Sequence, residues 1–298
     1  MSDSALGMRR KIKSARDLKS VVRTMKAMAS ASIGQYEKSV AALGGYYDAI
    51  ALGLGVCLRE AGTESVPEPP INKKSDRVTG VIVFGSDQGM VGRFNDVIAD
   101  YTIAKLKALP DKHIVWAVGE RVYYVLRDEG ISPVGRYAVP YAISDVTPLV
   151  DQLLIDCEAS LSRSEVYEIR LFHNRPHLKT VYEPVNRYLL PFSKNWRRGM
   201  SGIPWPSNQL PDILGDPVNT LQALIHESLF VSLFQACAES LASEKASRLA
   251  AMQRADKNID ELLDDLQHKY HQMRQMGIDA ELFDVIAGAE AMRQTDGR

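Results

Sequence analysis

Cysteine is nearly missing from this chain. Cys57, Cys157 and Cys237 are the only three in 298 residues, they lie far apart, and none belongs to a Cys-x-x-Cys. That excludes a disulfide-stapled fold and a thiolate metal site, and it suits buried thiols in a reducing cytoplasm. An excess of one charge is missing too: 36 Lys and Arg face 37 Asp and Glu, for a formal net charge of −1. A dedicated nucleic-acid binder would carry a clear basic excess. No apolar run approaches the ~18 residues that a membrane-crossing helix needs. The start, MSDSALGMRRKIKSARD, places charges where an export signal needs an apolar stretch. What remains, 45% apolar and 24% charged residues, describes a soluble globular chain with one large core or two modest domains.

The most informative absence is that of proline at both ends. All 14 prolines lie between Pro67 and Pro217. Residues 1–66 and 218–298 are thus free of the residue that costs a helix interior about 3 kcal/mol. The reading is a helix over 1–66, a mixed globular region over 67–217, and a second helix over 218–298.

Apolar spacing agrees. Leu18, Val22, Met25, Ala29, Ile33, Tyr36, Val40, Leu43, Tyr47, Ile50 and Leu54 follow steps of three and four, with one extra step of four between Ala29 and Ile33. That is the repeat of a coiled-coil seam. Leu249, Met252, Asp256, Ile259, Leu263, Leu266, Tyr270, Met273, Gly277, Ala280, Phe283 and Ala287 do the same, and only Asp256 and Gly277 offend the stripe. Helices this long would extend roughly 80–120 Å, too far to bury their seams on a small middle domain. They are expected to pair antiparallel. Between Arg9 and Lys26, eight basic residues face Asp17 alone, whereas from Arg254 onward ten acidic residues outnumber six basic ones. Opposite signs help to set the pairing, although an exposed ion pair contributes only ~0.2–1 kcal/mol. The basic run could instead grip an acidic partner or a phosphate backbone. Its interleaving with seam residues favours protein contact.

The middle region reads as a small Rossmann-like α/β sheet with parallel neighbours. RVTGVIVFGSD and HIVWAVG (113–119) are strands, 94–109 and 120–129 helices, and 144–163 a further helix with Ser144 as N-cap. VYEIRLFHN (166–174) and LKTVYEPVNRYLLP (178–191) close the sheet, and 191–217 is a loop whose Trp196 is a packing anchor. Gly85, Gly89 and Gly92 follow the first strand, where nucleotide folds keep a phosphate loop, but G-x-x-x-G-x-x-G is not G-x-G-x-x-G and no Walker lysine follows. Glycine for a tight strand-to-helix turn is the simpler reading. His173 and His177 are separated by Pro176, and His268 and His271 lack a third ligand on their helix face. No G-x-S-x-G or H-E-x-x-H occurs. No catalytic, cofactor or metal residue is therefore assigned.

At this point the residues resemble a known family. MRRKIKSARDLKSVVRTMKAMASAS is similar to the first helix of the gamma subunit of rotary F-type ATP synthases, and residues 243–292 resemble its last helix more closely. The family's landmarks fall on Ser243, Glu244, Arg248, Ala251, Met252 and Asn258, on Arg274, Gln275, Ile278 and Glu281, and on Gly288 to Ala291. Ser86, Asp87, Gly89 and Gly92 match its strand-then-glycine motif. There are departures. Met90-Val91-Gly92 stands where the family has Leu-Cys-Gly, Asp279 where it has threonine, and Arg23-Thr24-Met25 where it has Lys-Ala-Met. The paired regulatory cysteines of the chloroplast form are not apparent, so no redox switch is expected. The wording VVRTMKAMASASIGQYE resembles the divergent gamma subunits of a second, sodium-linked bacterial type.

The resemblance implies an antiparallel two-helix shaft inside a ring of three alpha and three beta subunits. It also implies a foot on the epsilon subunit and the membrane ring of c subunits, peripheral to the cytoplasmic face of the cell membrane. Catalysis would belong to the beta subunits. Arg23, Met25, Arg248, Gln275, Ile278 and Glu281 would touch the catalytic ring, and Ile278 to Ala291 would form an apolar bearing. Two other readings compete: a stand-alone nucleotide-binding α/β protein using the glycine turn, and a coiled-coil scaffold or basic-helix nucleic-acid binder using residues 9–26.

Overall fold

The computed structural model describes residues 5–60, 78–109, 112–163, 165–178, 180–192, 194–209 and 211–295, with side chains through residue 287. The expected boundary at 66/67 lies outside them. Two helices dominate: α1 (Ala5–Glu60, 56 residues) and α6 (Pro217–Thr295, 79 residues). Between them run β1 (Val78–Phe84), α2 (Phe94–Lys107), β2 (Lys112–Val118), α3 (Glu120–Asp128), β3 (Gly135–Tyr137), α4 (Val146–Ser162), β4 (Glu168–Pro176), β5 (Tyr182–Leu190) and α5 (Lys194–Ser201). The chain divides into two compact units, one of residues 1–28 with 249–298 and one of residues 29–248. Both long helices contribute to each.

The larger unit is built on a five-stranded sheet in the order β3-β2-β1-β4-β5. Pairings β1–β2, β1–β4 and β2–β3 are parallel, as expected for alternating strands and helices, but β5 closes the edge antiparallel to β4. The short connection 177–181 explains this, because a parallel return needs a crossover of a dozen residues or more. Side chains alternate across the sheet. Val81, Val83, Val115 and Ala117 pack with Ile98, Val122 and Leu126 of α2 and α3 on one face. Ile82, Phe84, Trp116 and Val118 pack with α4 and α6 on the other. Strands buried on both faces read as continuous apolar runs, which is why β1 and β2 were legible.

Several local expectations need correction. Ser144 does not cap α4: it lies in a 3-10 turn (Ile143–Asp145), where its hydroxyl donates to Asp145 Oδ1 at 3.1 Å. Residues 191–217 are not all loop, because α5 forms there. Trp196 stacks on Phe192 with centroids 4.0 Å apart, and Arg197 Nε donates to the Phe192 carbonyl at 3.3 Å. Strand β3 escaped notice because three residues carry no period. Helix α6 starts one residue early: Asp216 accepts from the amides of Val218 and Asn219, with Pro217 in the first helical position.

The smaller unit is the helix pair alone. Met8, Ile12, Ala15 and Val22 of α1 pack against Met252, Ile259 and Leu263 of α6, flanked by Met25, Leu266, Tyr270 and Met273. The seam differs from the expected one at Leu18, which leaves it, and at Lys19 and Lys26, which enter it. Leu18 is 51% exposed and stands outside it. A series of buried and half-buried positions runs along α1 at 8, 12, 15, 19, 22, 26, 29, 33, 36, 40, 43, 47, 50 and 54, alternating steps of four and three, and positions 7, 25, 32, 39, 51–53 and 55–58 beside it are covered as well. The extra step of four disappears once Lys19 and Lys26 are admitted to the seam. Apolar spacing missed them because they are lysines.

Each long helix also holds an 18-residue window whose mean hydropathy, 1.5 in α1 and 1.2 in α6, meets a membrane-span criterion by length and composition. This corrects the reading by uninterrupted runs. Packing gives a physical reason for such apolarity: Ile50, Leu54, Cys57 and Leu58 of α1 bury against Leu221 and Val231 of α6 in the larger unit. Core helices of this kind pass the same test.

Candidate functional site

The expected contact residues fall into three settings. Arg23 and Met25 lie on α1 in the helix pair. Met25 is half-buried against the seam cluster, and the exposed Arg23 guanidinium sits 3.7 Å from Asp256 Oδ1. Asp256, which offended the stripe in sequence, is a partner there: Lys26 Nζ donates to its Oδ2 at 2.7 Å. That hydrogen bond, with the charges of Lys26, Arg23 and Lys19, holds its carboxyl below the usual range. Lys19 pairs in the same way with Asp260. Arg9 Nε donates to the Tyr270 hydroxyl at 2.7 Å and lies over its ring.

Gln275, Ile278 and Glu281 occupy the second setting. Beyond Met273 every described side chain of α6 through residue 287 is exposed. This stretch carries Met276 (70% exposed), Ile278, Leu282, Phe283, Val285 and Ile286. Isolated surface apolar residues need no explanation, but a cluster of large ones marks a surface that something covers. Gly288 to Ala291 continue the helix.

Arg248 belongs to the third setting, the glycine turn of the larger unit. It is buried, donates from Nη1 to the Gly89 carbonyl at 2.8 Å, and bonds Glu244 one turn before it. Ser247 Oγ donates to the Val91 carbonyl at 2.6 Å, and Ser243 Oγ to the Asn174 carbonyl at 3.0 Å. The crevice beyond the carboxyl ends of β1 and β4, where such sheets bind ligands, is thus met by polar side chains of α6. Within the turn, Asn95 Oδ1 accepts from the Ser86 amide and Asn95 Nδ2 donates to Ser86 Oγ, both at 2.9 Å. Asp87 accepts from the amides of Glu120 and Val139. A Cβ on Gly85 would stand 2.3 Å from Val122 Cβ. Gly85 is there for close packing, and the polar groups of Ser86, Asp87 and Asn95 are engaged within the turn and its neighbours.

A buried ionic cluster lies deeper, between β4, β5 and α6. His173 Nε2 lies 2.7 Å from Glu239 Oε2, while Arg187 Nη2 and Gln235 Nε2 donate to Glu239 Oε1 at 3.1 and 2.8 Å. Burial lowers the His173 pKa and outweighs the hydrogen bond to Glu239, which pulls the other way. For Glu239, burial acts to raise the pKa, but His173 and Arg187 outweigh it and the net shift is downward. Neutral His173 therefore donates from Nε2, and its buried Nδ1 is left without a partner. Sequence reading passed over Glu239 and Arg187. Their only signal was charge inside apolar stretches. His177 is part-exposed, 3.8 Å from Glu183, and plays no part in the His173 cluster. Burial pushes the thiols of Cys157 and Cys237 up to about 12, so both remain protonated.

Two long paired helices, an α/β sheet whose glycine turn is bonded to one of them, and an exposed apolar helix end define a helical-shaft protein with an α/β domain. The chain matches the ATP synthase family over residues 4–292 and belongs to it, as a gamma subunit, the non-catalytic rotor of the central stalk. It is 28% identical to the ATP synthase gamma chain of Nostoc sp. (strain PCC 7120), covering 96% of this chain and 98% of that one. With the gamma chain of Desulfosudis oleivorans it shares 24%, over 95% and 97% of the two chains. Its fold is similar to a chain of the Euglena gracilis mitochondrial ATP synthase (OSCP/F1/c-ring), with a TM-score of 0.61, 14% identity and coverage of 97% and 94%. It is also similar to a chain of the central stalk and c-ring of the Tetrahymena thermophila enzyme, with a TM-score of 0.55, 16% identity and coverage of 79% and 99%. The nucleotide-binding and scaffold alternatives give way to the family match.

Proposed function

We propose that the bare end of α6 is the surface through which this rotor meets its catalytic ring of three alpha and three beta subunits. The observation that carries this is the exposed cluster Met276, Ile278, Leu282, Phe283, Val285 and Ile286, beyond the last paired seam residue. Ile278 to Ala291 would turn as an apolar bearing. Arg23, Met25, Gln275 and Glu281 would add polar and apolar contacts beside it. Arg248 belongs to the same set of contacts, and its bond to Gly89 would let it act through the turn it holds. Coupling needs these contacts to differ among the three beta subunits, because a rotor that touched all three alike would shift no equilibrium.

In this reading residues 1–66 and 218–298 serve as the shaft, and 67–217 as the foot on the epsilon subunit and the c ring. The assembly would sit on the cytoplasmic face of the cell membrane, and this chain would meet the membrane only through its partners. The finer assignment to the divergent sodium-linked type rests on the wording of the first helix. Sodium dependence of ATP hydrolysis by the complete complex checks it.

The rotor contacts are tested by coexpressing alpha and beta subunits with and without this chain. We expect co-elution as one copy per three beta subunits and an altered hydrolysis rate. Met25→Lys should then lower ion-driven synthesis in membrane vesicles several-fold more than it lowers hydrolysis. An equal loss of both would count against Met25 as a coupling contact.

A further inference from the structure

An apolar seam between two antiparallel helices does not fix its own register. Ile12, Ala15 and Val22 on one side and Met252, Ile259, Leu263 and Leu266 on the other are aliphatic residues at heptad spacing. A slip by one heptad sets aliphatic against aliphatic again. Polar residues inside a seam remove that degeneracy, because only one register pairs them. This seam holds two such pairs, Lys19–Asp260 and Lys26–Asp256. Each has one well-covered partner, Lys19 with 18% of its side chain exposed and Asp256 with 16%.

From these pairs we infer that Lys19, Lys26, Asp256 and Asp260 are positioning residues that hold the register of the helix pair within the smaller unit, and with it the length of α6 left bare for the catalytic ring. The packing of Ile50 and Leu54 on Leu221 and Val231 lies in the larger unit and does not reach this register. The spacing makes the register unique. The two lysines are one heptad apart on α1, but the two aspartates are only four residues apart on α6. A slip of one heptad in one direction offers Lys26 to Asp260, strands Lys19 near Tyr270, and sets Asp256 against Ile33. A slip in the other direction offers Lys19 to Asp256, strands Lys26, and sets Asp260 against Ile12 and Ala15. Neither keeps more than one pair. Arg9 on Tyr270 supplies a third mark, which the first slip replaces with Arg16 and the second removes.

The consequence rests on the rotor reading, although the geometry does not. One heptad is a translation of ~10 Å along the helix. A slipped pair would offer Ile278 and Phe283 to the ring ~10 Å from their native height, on a helix that is still folded and still paired. Register is therefore a coupling property that overall stability does not report.

The test uses the complete complex, with spin labels at Thr24 and Gln272, both exposed and on opposite helices. The native chain should give one interlabel distance. The fourfold variant Lys19→Met, Lys26→Met, Asp256→Leu, Asp260→Leu should add a second population displaced by ~10 Å, with a several-fold fall in synthesis relative to hydrolysis. A single unshifted distance in that variant overturns the inference. Should the fourfold variant not assemble, Lys26→Asp alone is compared with the swap Lys26→Asp/Asp256→Lys. Recovery of a single distance and of coupling in the swap supports the register role, and equal behaviour of the two variants overturns it. Failure of the native chain to co-elute with alpha and beta subunits would instead sink the rotor contacts, leaving the distances to decide the register on their own.

Discussion

Helix α6 passes through two environments, and the contrast between them separates what a helix needs to form from what it needs to pack. From Ala236 to Glu244 nine consecutive residues are buried, so the helix is enclosed on every side. From Arg274 to Ala287 every side chain is exposed. The enclosed stretch, ACAESLASE, is made of small residues and a few polar ones, whereas the bare stretch is rich in Ile, Leu, Phe, Met and Val. Hydrophobicity alone would invert the two. Close approach explains the first: with neighbours on all sides, its Ala, Ser and Cys residues leave room for them, and Leu241 joins the core. Three of its four polar members have partners for their side chains, Glu239 in His173, Arg187 and Gln235, Ser243 in the Asn174 carbonyl, and Glu244 in Lys245 and Arg248. The second stretch is apolar in a way that the folded chain by itself does not use.

The largest effect should come from overfilling the enclosed stretch. Ala236→Leu adds three carbons where exposure is 0%, and overpacking of that kind costs about 3 kcal/mol at its upper range. Thermal unfolding of the purified chain measures it, and a change below about 0.5 kcal/mol would mean the enclosure is loose. A second test uses the ionic cluster in the same stretch. The folded-state pKa of His173 lies below its unfolded value of about 6.5, so the unfolded chain takes up a proton that the folded one refuses. Stability from this group is present above about pH 6.5 and is lost as pH falls below it. His173→Gln keeps a donor for Glu239 and removes the titration. Its unfolding free energy should fall less between pH 7 and 5 than that of the native chain, and parallel curves would exclude His173 as a source of the slope. The smallest effect belongs to the bare end. Leu282→Ser, at a site 56% exposed, should leave stability within about 0.5 kcal/mol. A larger loss would mean that this end packs on the chain itself.

How much of this was legible in the sequence depended on whether a residue's role was local. Both long helices, strands β1, β2, β4 and β5, helices α2, α3 and α4, and the antiparallel pairing of the long helices could be read because proline exclusion and apolar periodicity are local signals. The glycine turn was read as structural from its spacing, and Gly85 is packed tightly on Val122. Strand β3 and helix α5 were too short to carry a period, and Ser144 was misread because a 3-10 turn imitates the start of a helix. Asp256 looked like a blemish in an apolar stripe, and Lys19 and Lys26 like members of a basic run beside one. Their meaning depends on which residue of the other helix, more than 200 positions away, stands opposite.

The sequence by itself determined that this chain makes two long helices around a doubly covered sheet, because periodicity and proline act on the nearest few residues whatever the rest of the chain does. It also carried enough family wording to identify a gamma subunit. Tertiary structure decided which lysines enter the seam, which stretch of α6 is enclosed and which is bare, and where each buried charge finds its partner. Those outcomes follow from burial, and burial is set by what lies opposite in space.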